Sequence, residues 1–211
     1  DEAYARYGAA AWARAWRAPS GYRMARIDAA AGRDAAALDR LADVRRAEPE
    51  HLQARALTAL LLRRTGRPAE AADLLRDTLA LDPLDWWSRD LAGLPLTTDA
   101  QTCLDVALEY AGVGETGAAL RVLGVAAERE AHRALGQTAA GPLIEYHRAA
   151  LGEDPVHTAD ATWCFPSRLD DVAALERADP ADARALALRG HWYYAVGRAD
   201  DALAAWRASA A

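Results

Sequence analysis

Apolar and polar positions between Pro49 and Pro83 fall into two helix-length stretches, broken by Gly66-Arg67-Pro68. The whole segment reads PEHLQARALTALLLRRTGRPAEAADLLRDTLALDP, and its two bounding prolines are 34 residues apart (83 − 49). The same punctuation occurs one period earlier: Gly32 precedes Gly66 by 34, and Ala37 precedes Ala71 by 34. With Leu52 as position 1, small residues occupy position 8 (Ala59) and position 20 (Ala71), and bulky Leu62 and Leu75 occupy positions 11 and 24. This pattern predicts a hairpin of two helices, A and B. The small residues let the axes approach to about 8–10 Å. Gly66 ends helix A in a left-handed cap, Pro68 opens helix B where its missing N–H is not needed, and Pro83 closes the unit. One such hairpin cannot bury its apolar face alone, so neighbouring hairpins are expected to stack.

The rest of the chain follows the same register, with interruptions. Residues 1–17, DEAYARYGAAAWARAWR, predict one helix; 34 residues back from Ala37 lies Ala3, which makes this an orphan helix B. The only methionine is Met24, and the chain reads as a piece of a longer protein. A repeat over 18–51 has helix A near 20–31 and helix B near 34–47, and the unit over 52–85 follows. Gly114 then lies 48 residues after Gly66, one period plus 14, so an insert is expected over 86–99. Within it LDWWSRDLAGLP predicts a short helix stopped by Pro95. A repeat over 100–133 places Cys103, Ala107, Tyr110, Gly114, Ala119 and Leu123 at positions 4, 8, 11, 15, 20 and 24. The last, over 183–211, places Gly190, Tyr193, Gly197, Ala202 and Trp206 at positions 8, 11, 15, 20 and 24. Between them, 134–182 reads as a degenerate repeat, with helices near 141–151 and 166–178 and the long loop GEDPVHTADATWCF, a length that is usually functional or mobile. The chain stops at position 29 of its last repeat. Both raw ends are expected to pair with a second copy or to be covered by missing segments.

A 34-residue helix–turn–helix period is the signature of the tetratricopeptide repeat. The expected fold is therefore all-α, a right-handed tetratricopeptide-repeat solenoid of antiparallel helix pairs, about five and a half repeats with two inserts. Several stretches also resemble a bacterial family in which such repeats follow a large N-terminal domain of unknown function. They are AWRAPSGYRMARIDAAAGRDAAAL, ALLLRRTGRPAEAADLL with LALDPLDWW, LDVALEYAGVGETGAALRVL and, most specifically, WCFPSRLDDVAALERADPADARAL. The resemblance implies that this chain is the C-terminal repeat region, behind a β-rich domain related to carbohydrate-active sandwiches. It carries over no catalytic residue.

Composition narrows the function. Of 211 residues 52% are hydrophobic, many of them alanine, the best helix former. All 25 basic residues are arginine, and neither lysine nor asparagine occurs. A net charge of −6 argues against a general nucleic-acid or anionic-membrane surface. No apolar run approaches the ~18 residues of a membrane span. Two cysteines, Cys103 and Cys164, do not make a disulfide framework, so a reducing cytoplasm is expected.

Helix A positions 2, 5, 9 and 12 line the concave groove of such an array. Here they are Tyr22, Arg26, Gln53, Leu60, Arg63, Gln101, Leu104, Leu108, Arg184, His191 and Tyr194. Arginines there can fork onto carboxylates of a peptide or domain. The inserts add Trp86, Trp87, Trp163 and Phe165 as candidate anchors, because interface energy concentrates in Trp and Tyr. No cofactor is implied. His132, His147, His157 and Cys164 are spaced by 15, 10 and 7, which fits no zinc pattern. Asp82, Asp85, Asp170, Asp171, Asp200 and Asp201 read as helix caps, and no nucleophile elbow, P-loop or Rossmann glycine pattern occurs. The chain reads as a non-enzymatic scaffold binding a protein or peptide, the missing N-terminal domain included. The alternative is an accessory module of a carbohydrate-active protein.

Overall fold

The structure, a computed structural model, describes residues 2–132 and 139–210. Among the described residues twelve α-helices run in order: α1 Glu2–Ala10, α2 Arg17–Ala30, α3 Asp34–Ala47, α4 Leu52–Arg64, α5 Pro68–Leu81, α6 Trp86–Leu91, α7 Ala100–Ala111, α8 Thr116–Ala131, α9 Gly141–Ala150, α10 Leu169–Glu176, α11 Ala183–Ala195 and α12 Ala199–Ser209. No strand occurs among the described residues. The helices pack as sequential pairs, α2 with α3, α4 with α5, α9 with α10, and α11 with α12. The chain divides into two compact units, Asp1–Thr98 with Glu109–Glu115, and Asp99–Leu108 with Thr116–Ala211.

The α4–α5 hairpin shows why the spacing works. Gly66 adopts φ 77°, where a glycine meets no Cβ clash. The following amide, Arg67 N–H, then reaches back to the Leu62 carbonyl at 2.8 Å, which satisfies an otherwise orphaned C-terminal acceptor. The same closure recurs from Arg33 to Asp28, Glu115 to Tyr110, and Arg198 to Tyr193, at 2.9, 3.0 and 2.8 Å. In every case the accepting carbonyl belongs to position 11. The small residues at positions 8 and 20, which are Ala25, Ala59, Ala107, Gly190, Ala37, Ala71, Ala119 and Ala202, are all buried. These are tetratricopeptide-type hairpins by spacing, closure and contact.

Three local expectations change. The helix predicted over 1–17 ends at Ala10; Arg14–Trp16 form a single 3₁₀ turn, and α2 begins at Arg17. Because α1 packs back against α2, the chain has to reverse direction in between. Starting α2 early also puts Pro19 in its first turn, where proline is tolerated. The insert helix α6 is stopped by Gly93 (φ 77°), with Leu94 N–H bonding the Arg89 carbonyl, before Pro95 is reached. α10 is shorter than the 166–178 stretch, since Asp171 caps it by accepting the Ser167 and Arg168 amides at 3.1 Å each. The expected repeat boundary between 133 and 134 lies outside the described residues.

Position 11 of the first full hairpin is Asp28, where leucine or tyrosine stands in its counterparts. Its buried carboxylate accepts from Arg33 at 2.9 Å, Arg40 at 3.1 Å and Tyr4 at 3.2 Å, which ties α1, α2 and α3 together. Burial pulls this carboxyl upward, but the three donors outweigh burial and hold it below its ordinary value.

Candidate functional site

In the second unit, two of the predicted groove residues and one insert aromatic converge. His191 on α11 lies 5.6 Å, ring centre to ring centre, from Phe165 and 5.7 Å from Trp206 on α12, both edge-on. Tyr194, one helical turn beyond His191, lies 5.9 Å from the same indole. Edge-to-face spacing of this kind suits aromatic quadrupoles. The result is a contiguous aromatic surface with wet edges: Tyr194 is 68% exposed and Phe165 49%. Trp163, two residues before Phe165, is also exposed.

Trp206 holds that surface in place, and glycine at position 8 makes room for it. Its Nε1–H donates to the Ala187 carbonyl at 3.2 Å, which lays the indole across α11. A Cβ on Gly190 would sit 2.3 Å from that nitrogen.

The long loop before Phe165 is pinned by Glu145 on α9. One carboxylate oxygen accepts the Thr158 amide and hydroxyl, both at 3.0 Å, and the Ala159 amide at 2.9 Å; the other takes Arg184 at 2.5 Å. Burial raises this carboxyl, and Arg184 with the two amides more than reverses the shift, leaving it below the ordinary range. Arg184, predicted to fork onto a ligand, is thus committed inside the unit, and it also lies 5.3 Å over the Tyr146 ring.

Several other predicted groove positions are structural. Tyr22 is buried and donates to Glu109 at 2.8 Å; burial, then Glu109, raises its hydroxyl well above the ordinary value. Arg26 pairs with Glu109 at 3.6 Å, in space left by Gly112. Leu60 and Leu104 are buried core, because those faces of α4 and α7 are covered. Gln101 faces Arg168, which also pairs with Asp105. Leu108 is half-buried, and Gln53 and Arg63 are exposed. Among the insert aromatics, Trp87 is buried edge-on to Tyr110 at 5.9 Å, while half-buried Trp86 lies 4.9 Å from the Arg89 guanidinium.

The histidines and cysteines do not assemble. His147 is buried and shares a 3.0 Å hydrogen bond with Asp171. His157 lies 5.1 Å from the Tyr146 ring, and His132 bonds the Glu128 carbonyl. Among the described residues no three His, Cys, Asp or Glu side chains converge on a point where a metal could sit. Cys103 and Cys164 are buried and not disulfide-bonded, and burial pushes the Cys164 thiol up to about 12, so it is not a thiolate nucleophile at neutral pH. No described helix is long and apolar enough to cross a membrane.

Sequence reasoning passed over Trp12, Trp16 and Glu145. The two tryptophans are 89% and 60% exposed. Their signal was there to read, as two indoles in WARAWR at a spacing of four.

No family model and no curated protein matches the chain. Among solved structures it is similar to the crystal structure of MamA, at 16% identity and a TM-score of 0.26, over 87% of this chain and 91% of that one. The fold assignment rests on the hairpins themselves rather than on that likeness.

Proposed function

We propose that this chain is a non-catalytic scaffold that docks a protein segment on the aromatic surface of Phe165, His191, Tyr194 and Trp206. One observation carries this reading: two helix A positions and a residue of the long insert, far apart in sequence, meet in one half-exposed cluster. Large exposed aromatic patches on folded proteins mark interaction sites, and interface energy concentrates in such side chains. Glu145 and Gly190 hold the cluster rigid, which lowers the ordering cost of binding. The bound segment belongs to a separate polypeptide or to another domain of the same protein.

A photoreactive residue at position 194 in the full-length protein tests this. The expected result is a discrete adduct, intermolecular or intramolecular, that disappears in the Phe165→Ala background. Diffuse labelling, or an adduct indifferent to Phe165, contradicts it.

A further inference from the structure

The first unit carries a second surface of different chemistry. A cleft of about 480 Å³ opens between the connector after α1, α2 and the C-terminal half of α3. Its floor is apolar, formed by Ala18, Met24 and Val44, and Gly21 deepens it, since a Cβ there would come within 2.8 Å of Val44 Cγ2. Its rim is basic: Arg17, Arg40 and Arg46 stand against the single carboxylate of Asp43. Arg40 is committed to Asp28, and Arg46 to Asp43 at 2.5 Å. Arg17 forms no ion pair among the described residues. The connector 11–16, which lines the cleft at Ala11, also bears exposed Trp12 and Trp16, with Arg14 and no acid.

We propose that this cleft takes an acidic peptide segment of a partner protein, one that sets an apolar side chain on the Ala18–Met24–Val44 floor and a carboxylate on Arg17. Charge complementarity selects that occupant. The chain as a whole is −6, so a local excess of guanidinium over an apolar floor is the inverse of its general surface. Guanidinium forks match carboxylates bidentately, and the flanking indoles supply contact area at low entropic cost. The site is independent of the aromatic surface in the second unit.

The test is selection of a random-peptide display library on the chain, followed by fluorescence anisotropy of the enriched peptides. Enriched sequences should combine acidic residues with at least one aromatic or large aliphatic residue. Arg17→Glu should weaken their binding more than about tenfold, and Trp12→Ser should weaken it as well. Both positions are exposed, so the thermal midpoint should hold. Arg76→Glu on α5 controls for bulk charge and should change affinity less than about twofold. Tyr194→Ala should leave this binding intact, which separates its failure from failure of the aromatic site. Neutral or basic enriched peptides, affinity indifferent to Arg17→Glu, displacement by single-stranded RNA, or concentration-dependent self-association abolished by Arg17→Glu would each overturn the proposal.

Discussion

The indole of Trp206 lies directly over the α carbon of Gly190, so close that a single methyl group there would be 2.3 Å from its Nε1. The same contact between positions 8 and 24 that locks the last hairpin also sets the surface on which Phe165, His191 and Tyr194 gather. Packing and candidate binding site are therefore one structure here, and changes to the hairpin contact should be felt at the surface.

The contact between A and B helices is intolerant of volume. Ala71 is fully buried and Ala72 beside it is exposed. Ala71→Leu should cost ~1–3 kcal/mol by overpacking, while Ala72→Leu should stay within about 0.5 kcal/mol of the parent. Urea unfolding of both variants measures the difference, and equal midpoints would mean the register is wrong at that repeat.

Asp171 ties α9 to α10. Burial raises its carboxyl, but the His147 hydrogen bond and the Ser167 and Arg168 amides outweigh burial and leave it lowered. A lowered acid stabilises the fold above its unfolded value, ~3.9, and loses that contribution as pH falls through the folded one. Asp171→Asn should thus cost ~1–3 kcal/mol at pH 7 and flatten the loss of stability below about pH 4. Denaturant midpoints against pH report both effects.

Glu145 holds the long loop by three hydrogen bonds and ties itself to α11 by its ion pair with Arg184. In Glu145→Ala the Thr158 and Ala159 amides lose their acceptor. Their hydrogen exchange should speed roughly tenfold or more, with α4 and α5 unchanged. Unaltered protection at 158 and 159 would contradict the assigned role.

The hairpins were legible because each rests on local rules that leave a mark at fixed spacing: glycine at the turn, alanine at the contact, proline at the start or end. Helices α3, α5 and α11 fall close to where the pattern puts them. The long loop and the groove were less legible, because their side chains are arranged by distant partners. Nothing in the sequence near Arg184 says that Glu145, 39 residues away, would take it. The Tyr22 hydroxyl likewise finds its acceptor in Glu109, 87 residues on. Positions 5 and 9 of a helix A are groove positions only where no neighbour covers them, as Tyr22, Leu104 and Leu60 show, and sequence spacing does not report coverage. His191 and Tyr194 could be paired from their spacing on one helix; that Phe165 joins them could not.

The most direct test is the effect of Gly190→Ala measured in two backgrounds by thermal unfolding. In the parent the added methyl meets Trp206, and the variant should be destabilised by ~1–2 kcal/mol net of alanine's better helix propensity. With Trp206→Leu as background the obstruction is gone, and the same change should become neutral or stabilising by up to ~1 kcal/mol. A reversal of sign supports the account. Equal effects in both backgrounds would mean that Gly190 and Trp206 do not touch, and the aromatic surface would lose its foundation.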